Sequence, residues 1–213
     1  KRPAGERGPA ASGATTLPAG LTVLASAEWP ADESDALTPL PGFVVSSFSP
    51  LVAEVAQQCL RRYFGSRPVE AARGERTAVL LASRTGDIAT SAAVAEAVDS
   101  GRRVPPMLFF QSNPNAVVGY ITARWGLTGP VVCTSPASDV LARALQGAAL
   151  LIEDGDADAA LVIVAEQERP GTQNDHGVAM LVGPASWPPA AAPGDAGDHP
   201  QEGDDEDLRD RPC

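Results

Sequence analysis

The stretch Asn115–Glu166, NAVVGYITARWGLTGPVVCTSPASDVLARALQGAALLIEDGDADAALVIVAE, decides the architecture. Ala116–Trp125 reads as a short helix, with Val117, Tyr120, Ile121 and Trp125 at helical spacing. Gly126-Leu127-Thr128-Gly129-Pro130 follows as a corner. Val131–Thr134 has strand character, and a tight turn leads into Ala137–Glu153. There Val140, Leu141, Ala144, Leu145, Ala148, Ala149, Leu151 and Ile152 occupy most of a helix's circumference. A helix that apolar must be covered on nearly all sides. Asp154–Asp158 is a polar turn, and Ala159–Ala165 is an apolar run of strand length, the pattern of a strand buried on both faces. A strand turning sharply into a buried helix is where many enzymes hold a nucleophile. Here that turn carries Ser138.

Outward from this stretch, Leu21–Trp29 begins as a buried strand. Ser49-Pro50 predicts a helix start, Ser as N-cap and Pro at the first helical position. The helix runs to about Phe64, with Leu51, Val52, Val55, Ala56, Cys59, Leu60 and Phe64 on one stripe, and Gly65 ends it. Glu70–Arg76 is expected as a polar loop and Thr77–Ser83 as a doubly buried strand. Ile88–Val98 reads as an Ala-rich helix ending near Ser100-Gly101. Val104–Asn115 is expected to be irregular, interrupted by Pro105, Pro106 and Pro114. It nevertheless holds Met107, Leu108, Phe109 and Phe110, an apolar group too large for an idle surface loop. Val178–Val182 is the last strand.

Strands alternating with helices give an α/β domain. Its sheet is five-stranded, mixed and mostly parallel, covered by helices that include a central buried one. The last two strands follow each other without a helix and suit an antiparallel pair. A dinucleotide-binding fold would need a glycine fingerprint after its first strand. None follows Leu21–Trp29, Thr77–Ser83 or Ala159–Ala165.

Composition bounds the function. The 213 residues carry 16 basic and 27 acidic side chains, a formal charge of −11, which argues against nucleic acid as a partner. Much of the charge is local: eight acids between Asp195 and Asp210 face only Arg209 and Arg211. Residues 1–19 and 186–213 read as disordered by composition, the latter as an acidic tail, and 20–185 as the domain. Cys59, Cys133 and Cys213 show no paired spacing, so neither a disulfide framework nor a zinc site is indicated. That usage fits a cytoplasmic setting. No apolar run reaches the roughly 18–20 residues that cross a bilayer, so no membrane span is expected.

The candidate chemistry is sparse. Ser138 at a helix N-terminus could act as an acyl-transfer nucleophile, or Ser138 or Ser135 could simply cap the helix. A serine nucleophile needs a base in hydrogen-bond reach. The histidines are His176, in the polar turn Asn174–Gly177, and His199, in the acidic tail, and neither completes a triad. Cys133 reads as an inert residue of a buried strand. Asp154-Gly155-Asp156-Ala157-Asp158 lacks the closing Glu of a calcium loop and reads as a solvated turn. No metal or cofactor is expected.

The order Leu40-Pro41-Gly42-Phe43, Ser49-Pro50-Leu51, Ala82–Gly86, Pro114-Asn115-Ala116, Gly126–Pro130, Ala142–Asp154, Gly155–Asp158 and Ala159–Glu166 resembles the N-terminal half of a β-ketoacyl synthase, a thiolase-like fold. It is most similar to the short, divergent synthase-like domains found beside bacterial polyketide and aryl-polyene genes. The resemblance spans about Leu37–Pro184. It implies that the family's nucleophile, eight residues after the proline of the Gly-Pro pair, is replaced here by Ser138. The family also uses two histidines from its C-terminal half, and His176 matches neither. The resemblance therefore implies a non-catalytic, chain-length-factor-like subunit. Its partner would be a full-length ketosynthase, in a heterodimer or larger assembly, with acyl carrier protein as a further candidate. Phe109, Phe110, Gln111, Asn113 and Val117 are the candidates for an interface or substrate tunnel, with own-core packing as the competing role. The alternative is an acyltransferase or thioesterase-like enzyme using Ser138 with a base lent by a partner.

Overall fold

The computed structural model describes residues 16–32, 35–167 and 175–188. Five strands form one sheet: β1 (Thr22–Trp29), β2 (Thr77–Ala82), β3 (Val131–Thr134), β4 (Ala159–Glu166) and β5 (His176–Gly183), in the order β1-β5-β4-β2-β3. β2 runs parallel to both β3 and β4, whereas β5 is antiparallel to β4 and to β1. Four strands thus share one direction and β5 alone is reversed, as expected for the strand that follows β4 without a helix.

The strand pattern dictates layers on both faces. Every residue of β2 is buried, and all but one of β4. Along β2, Val79 and Leu81 face one cluster, while Ala78, Leu80 and Ala82 face the other; in β4, Leu161 and Ile163 oppose Ala160 and Val162 in the same alternation. The first face is covered by α1 (Phe48–Phe64) and α5 (Pro114–Trp125), whose Leu51, Val55, Leu60, Val117 and Ile121 join that cluster. The second face receives α6 (Val140–Glu153) through Ala144, Leu145 and Ala148. Alanines on the strands and Gly147 on the helix bring α6 close: a Cβ at Gly147 would lie 3.2 Å from Leu80 Cδ2. Only this inner stripe of α6 is fully covered. Leu141, Leu151 and Ile152 are half-buried and Leu150 is 58% exposed.

Three local expectations need correction. α1 begins at Phe48, not after Ser49. The Ser46 hydroxyl accepts from Ser49 N–H at 2.8 Å, so the capping serine lies three residues earlier than expected. Ala71–Glu75 is a short helix, α2, rather than a loop. Pro106–Gln111 is helical too, α4, because Pro106 sits at its start with φ already set for a helix. α3 (Ile88–Asp99) is capped by Asp87, which accepts from Thr90 N–H at 2.9 Å. Contacts extend just past both expected domain edges. Leu17 packs against the second cluster, and Trp187 stacks on Tyr63 with ring centroids 5.4 Å apart. The remainder of the two terminal segments lies outside the described residues.

The Gly126–Pro130 corner ties these elements together. Gly126 takes the left-handed conformation, φ 71°, and closes α5 through its N–H to Thr122 O. Thr128 and Gly129 N–H both donate to Gly74 O, at 3.0 and 3.1 Å, which docks α2 on the corner. At Gly129 an added Cβ would stand 2.4 Å from Thr77 O.

Gly129→Ala should therefore lower stability by about 3 kcal/mol or more. Gly119, in α5 with open space around it, provides the contrast: Gly119→Ala should gain about 0.5–1 kcal/mol. Urea unfolding of the two variants checks both signs.

Candidate functional site

The turn from β3 to α6 spans Ser135–Asp139. Asp139 holds φ 52°, the single positive φ outside glycine among the described residues. A left-handed non-glycine residue costs energy and marks a turn held by its surroundings. The strained tip of this strand-to-helix elbow is therefore Asp139, one residue after Ser138. Ser138 is exposed, and its hydroxyl donates to Asp139 Oδ2 at 3.1 Å. It does not cap α6, which begins two residues later without a side-chain cap. Ser135 does not cap it either, because its hydroxyl donates to Arg84 O at 2.9 Å.

Among the described residues Ser138 has no histidine beside it, and the Asp139 carboxylate is its side-chain partner. His176 opens β5, three strand positions from β3, which is about 14 Å across a sheet. His199 lies outside the described residues. Cys59 and Cys133 are not nucleophiles. Burial pushes the Cys59 thiol up to about 12, and burial likewise raises that of Cys133. Both hold their protons at neutral pH.

Beside the elbow, the carboxyl ends of β2 and β3 open into a cavity of about 400 Å³. Its wall is mainly hydroxyl and amide: Ser83, Thr85, Ser91, Asn113, Asn115 and Thr134, with Cys133 and Leu81 behind. Several of these groups are already committed. Asp87, on the same wall, accepts from Thr90 Oγ1 at 2.7 Å, and Asn113 Oδ1 accepts from Asn115 N–H at 3.0 Å to cap α5.

The sequence candidates therefore separate. Asn113 lines the cavity and Gln111 is half-buried at the end of α4. Phe109 and Phe110 are 69% and 65% exposed, so own-core packing does not describe them. Val117 is the reverse case: it is buried in the first cluster.

One polar network escaped the sequence reading. Glu166, at the end of the apolar strand β4, is 5% exposed. Its carboxylate accepts from Arg84 N–H at 2.8 Å and from the Ser83 and Thr85 hydroxyls at 3.4 Å. Gln167, next to it, accepts from Ile88 N–H at 2.8 Å and donates to the Ser47 hydroxyl. Together they fix residues 83–88, the floor of the cavity. The available signal was a charged residue closing a run of seven apolar ones.

The family model "Beta-ketoacyl synthase, N-terminal domain" matches residues 25–192. No curated protein matches the chain. Among solved structures, the ketosynthase ApeO in complex with its chain length factor ApeC, from Xenorhabdus doucetiae, aligns with TM-score 0.62 and 20% identity over 78% of this chain and 79% of that chain. The ishigamide ketosynthase/chain length factor aligns with TM-score 0.60 and 18% identity, over 75% of this chain and 49% of that one. The type II complex AntDE:AntF, an acyl-carrier protein with its ketosynthase, gives TM-score 0.59 and 13% identity over 78% and 62%. This chain thus spans about half the length of some of the structures it resembles and most of another.

The buried thiol of Cys59 makes a pH-dependent prediction. Its pKa is higher folded than unfolded, from 9.0 to about 12. Above pH 9 the unfolded chain releases a proton that the folded chain keeps, so stability falls as pH rises toward 12. The slope is at most about 1.4 kcal/mol per pH unit. Cys59→Ala should remove this component, seen as a shallower loss of unfolding midpoint above pH 9.

Proposed function

The chain belongs to the family of β-ketoacyl synthase N-terminal domains, and from that premise we propose that it is a ketosynthase-like subunit without condensing activity of its own. It pairs with a catalytically complete ketosynthase in type II polyketide or fatty-acid-like synthesis, and the substrates are acyl chains on a carrier protein handled by the partner.

One observation carries this reading. The elbow where the family places its nucleophile offers Ser138 and Asp139 in place of a thiolate, and among the described residues Ser138 has only Asp139 as a side-chain partner. A hydroxyl held only by an exposed neighbouring carboxylate, with no histidine to take its proton, is a poor acceptor of an acyl group. The surface supports pairing. Met107, Phe109 and Phe110 on α4 and Val131 on the edge strand β3 are exposed, as is the outer side of α6. Burying a side chain of this size is worth about 1.5–3 kcal/mol, so a covered complex gains several such terms. α4 then offers Phe109 and Phe110 to the partner's acyl tunnel. Two of the similar folds come from structures that pair a ketosynthase with a chain length factor, and one matched chain is about as long as this one.

A second reading, acyl transfer from Ser138, rests on the exposed hydroxyl 3.1 Å from the Asp139 carboxylate. Incubation with acyl-carrier-protein thioester separates the two: a mass adduct lost in Ser138→Ala supports transfer, and its absence supports the non-catalytic role.

Co-expressed with a complete ketosynthase, the chain should elute as a heteromer and change the length of the products formed. Alone it should elongate nothing. Phe109→Ala and Phe110→Ala should each raise the Kd of the pair about tenfold or more, whereas Ser138→Ala should leave the pair's turnover unchanged. A chain that ignores the ketosynthase on size exclusion refutes the proposal.

A further inference from the structure

We propose that the outer face of α6 docks against the same face of a second copy of this chain, the two helices antiparallel across a two-fold axis. This goes beyond the pairing proposed above and leaves α4 and β3 to the ketosynthase. The inner stripe of α6 packs on β2 and β4. Arg143, Gln146, Leu150 and Glu153 make the opposite stripe, and all four are exposed. Arg143 and Glu153 take part in no ion pair among the described residues. Asp139, one turn before Arg143, accepts instead from the Ser138 hydroxyl. The two charges also run against their own helix. Arg143 stands in the first turn, where backbone N–H groups leave a positive end, and Glu153 closes the last turn at the negative end. An antiparallel neighbour reverses both relations: each Arg143 then meets the negative end of the other helix, and each Glu153 its positive end.

The stripe is self-complementary in register. Arg143 and Glu153 are equidistant from position 148, and so are Gln146 and Leu150. With position 148 on the axis, Arg143 faces Glu153 of the second copy at both ends, and Leu150 faces the stem of Gln146. The charges are about 15 Å apart along the helix, so both pairs close together in this register. A parallel pairing would set like charges side by side. An unrelated helix would need this pattern by chance, whereas a second copy carries it by symmetry. Leu150 is 58% exposed, Leu141 and Leu151 are half-buried, and the same sheet face leaves Val164 and Met180 half-buried. A standard interface covers about 800 Å² per copy, more than one helix offers, and these flanking side chains extend the contact.

Sedimentation equilibrium of the full chain alone, from roughly 1 to roughly 500 μM, tests this. The expected result is a monomer–dimer equilibrium. Arg143→Glu and Glu153→Arg should each raise its Kd about tenfold or more, because each sets two like-charged pairs across the axis. The double variant, Arg143→Glu with Glu153→Arg, should bring the Kd back to within about threefold of the starting value. Both single changes suit the helix's own dipole. The unfolding midpoint of the dilute chain should therefore hold or rise, which separates lost docking from lost folding. A chain that stays monomeric throughout overturns the proposal. So does a dimer that ignores the single changes, or one that the double variant does not restore. None of these outcomes bears on the ketosynthase pairing, which is read with the second protein present.

Discussion

Two strands with almost no solvent-facing side chain govern this molecule. β2 and β4 lie side by side in the middle of the sheet, and their alternating residues feed two separate clusters. Neither cluster can form unless helices lie on both faces, because a bare apolar face would forfeit much of the domain's marginal stability. α1 and α5 answer for one face and α6 for the other. The small side chains of Ala78, Ala82, Ala160 and Gly147 set how near α6 can approach, and hence where the elbow before it projects.

Much of this was legible in the residues, for a physical reason. Doubly buried strands appear as short, unbroken apolar runs, and Thr77–Ala82 and Ala159–Ala165 could hardly be read otherwise. The reversed direction of β5 followed from the lack of room for a crossover helix after β4. The misreadings came where local and tertiary signals compete. Pro105 and Pro106 looked like breakers, yet a proline in the first turn of a helix loses nothing, and α4 forms behind it. Ser49 looked like a cap because it precedes Pro50, but Ser46 provides the bond. Trp187 belonged by composition to a polar tail, whereas its ring finds Tyr63 and Arg73 across the fold. Such long-range pairings leave no trace in the local pattern.

The site was legible as a location more than as a chemistry. The strand-to-helix turn was visible, and so was the want of a base. The strained residue was not: only the backbone reveals that Asp139, rather than Ser138, holds the left-handed conformation. Likewise, the wall of the cavity at the ends of β2 and β3 is polar through residues from three separate stretches, 83–91, 112–115 and 134–135. Glu166 and Gln167 brace its floor by accepting from amides far away in the chain. Membership in the family of β-ketoacyl synthase N-terminal domains accounts for the scaffold.

The strand order has a bearing on how the protein comes into being. Among the described residues β1 pairs only with β5, about 150 residues later in the chain. During synthesis it can reach the sheet only after nearly the whole domain has emerged, since loop closure over such separations comes late and slowly. Between the synthesis of β1 and that of β5 the nascent domain therefore carries a strand whose partner does not yet exist. Completing this sheet is the act of β5, which joins β1 to the rest.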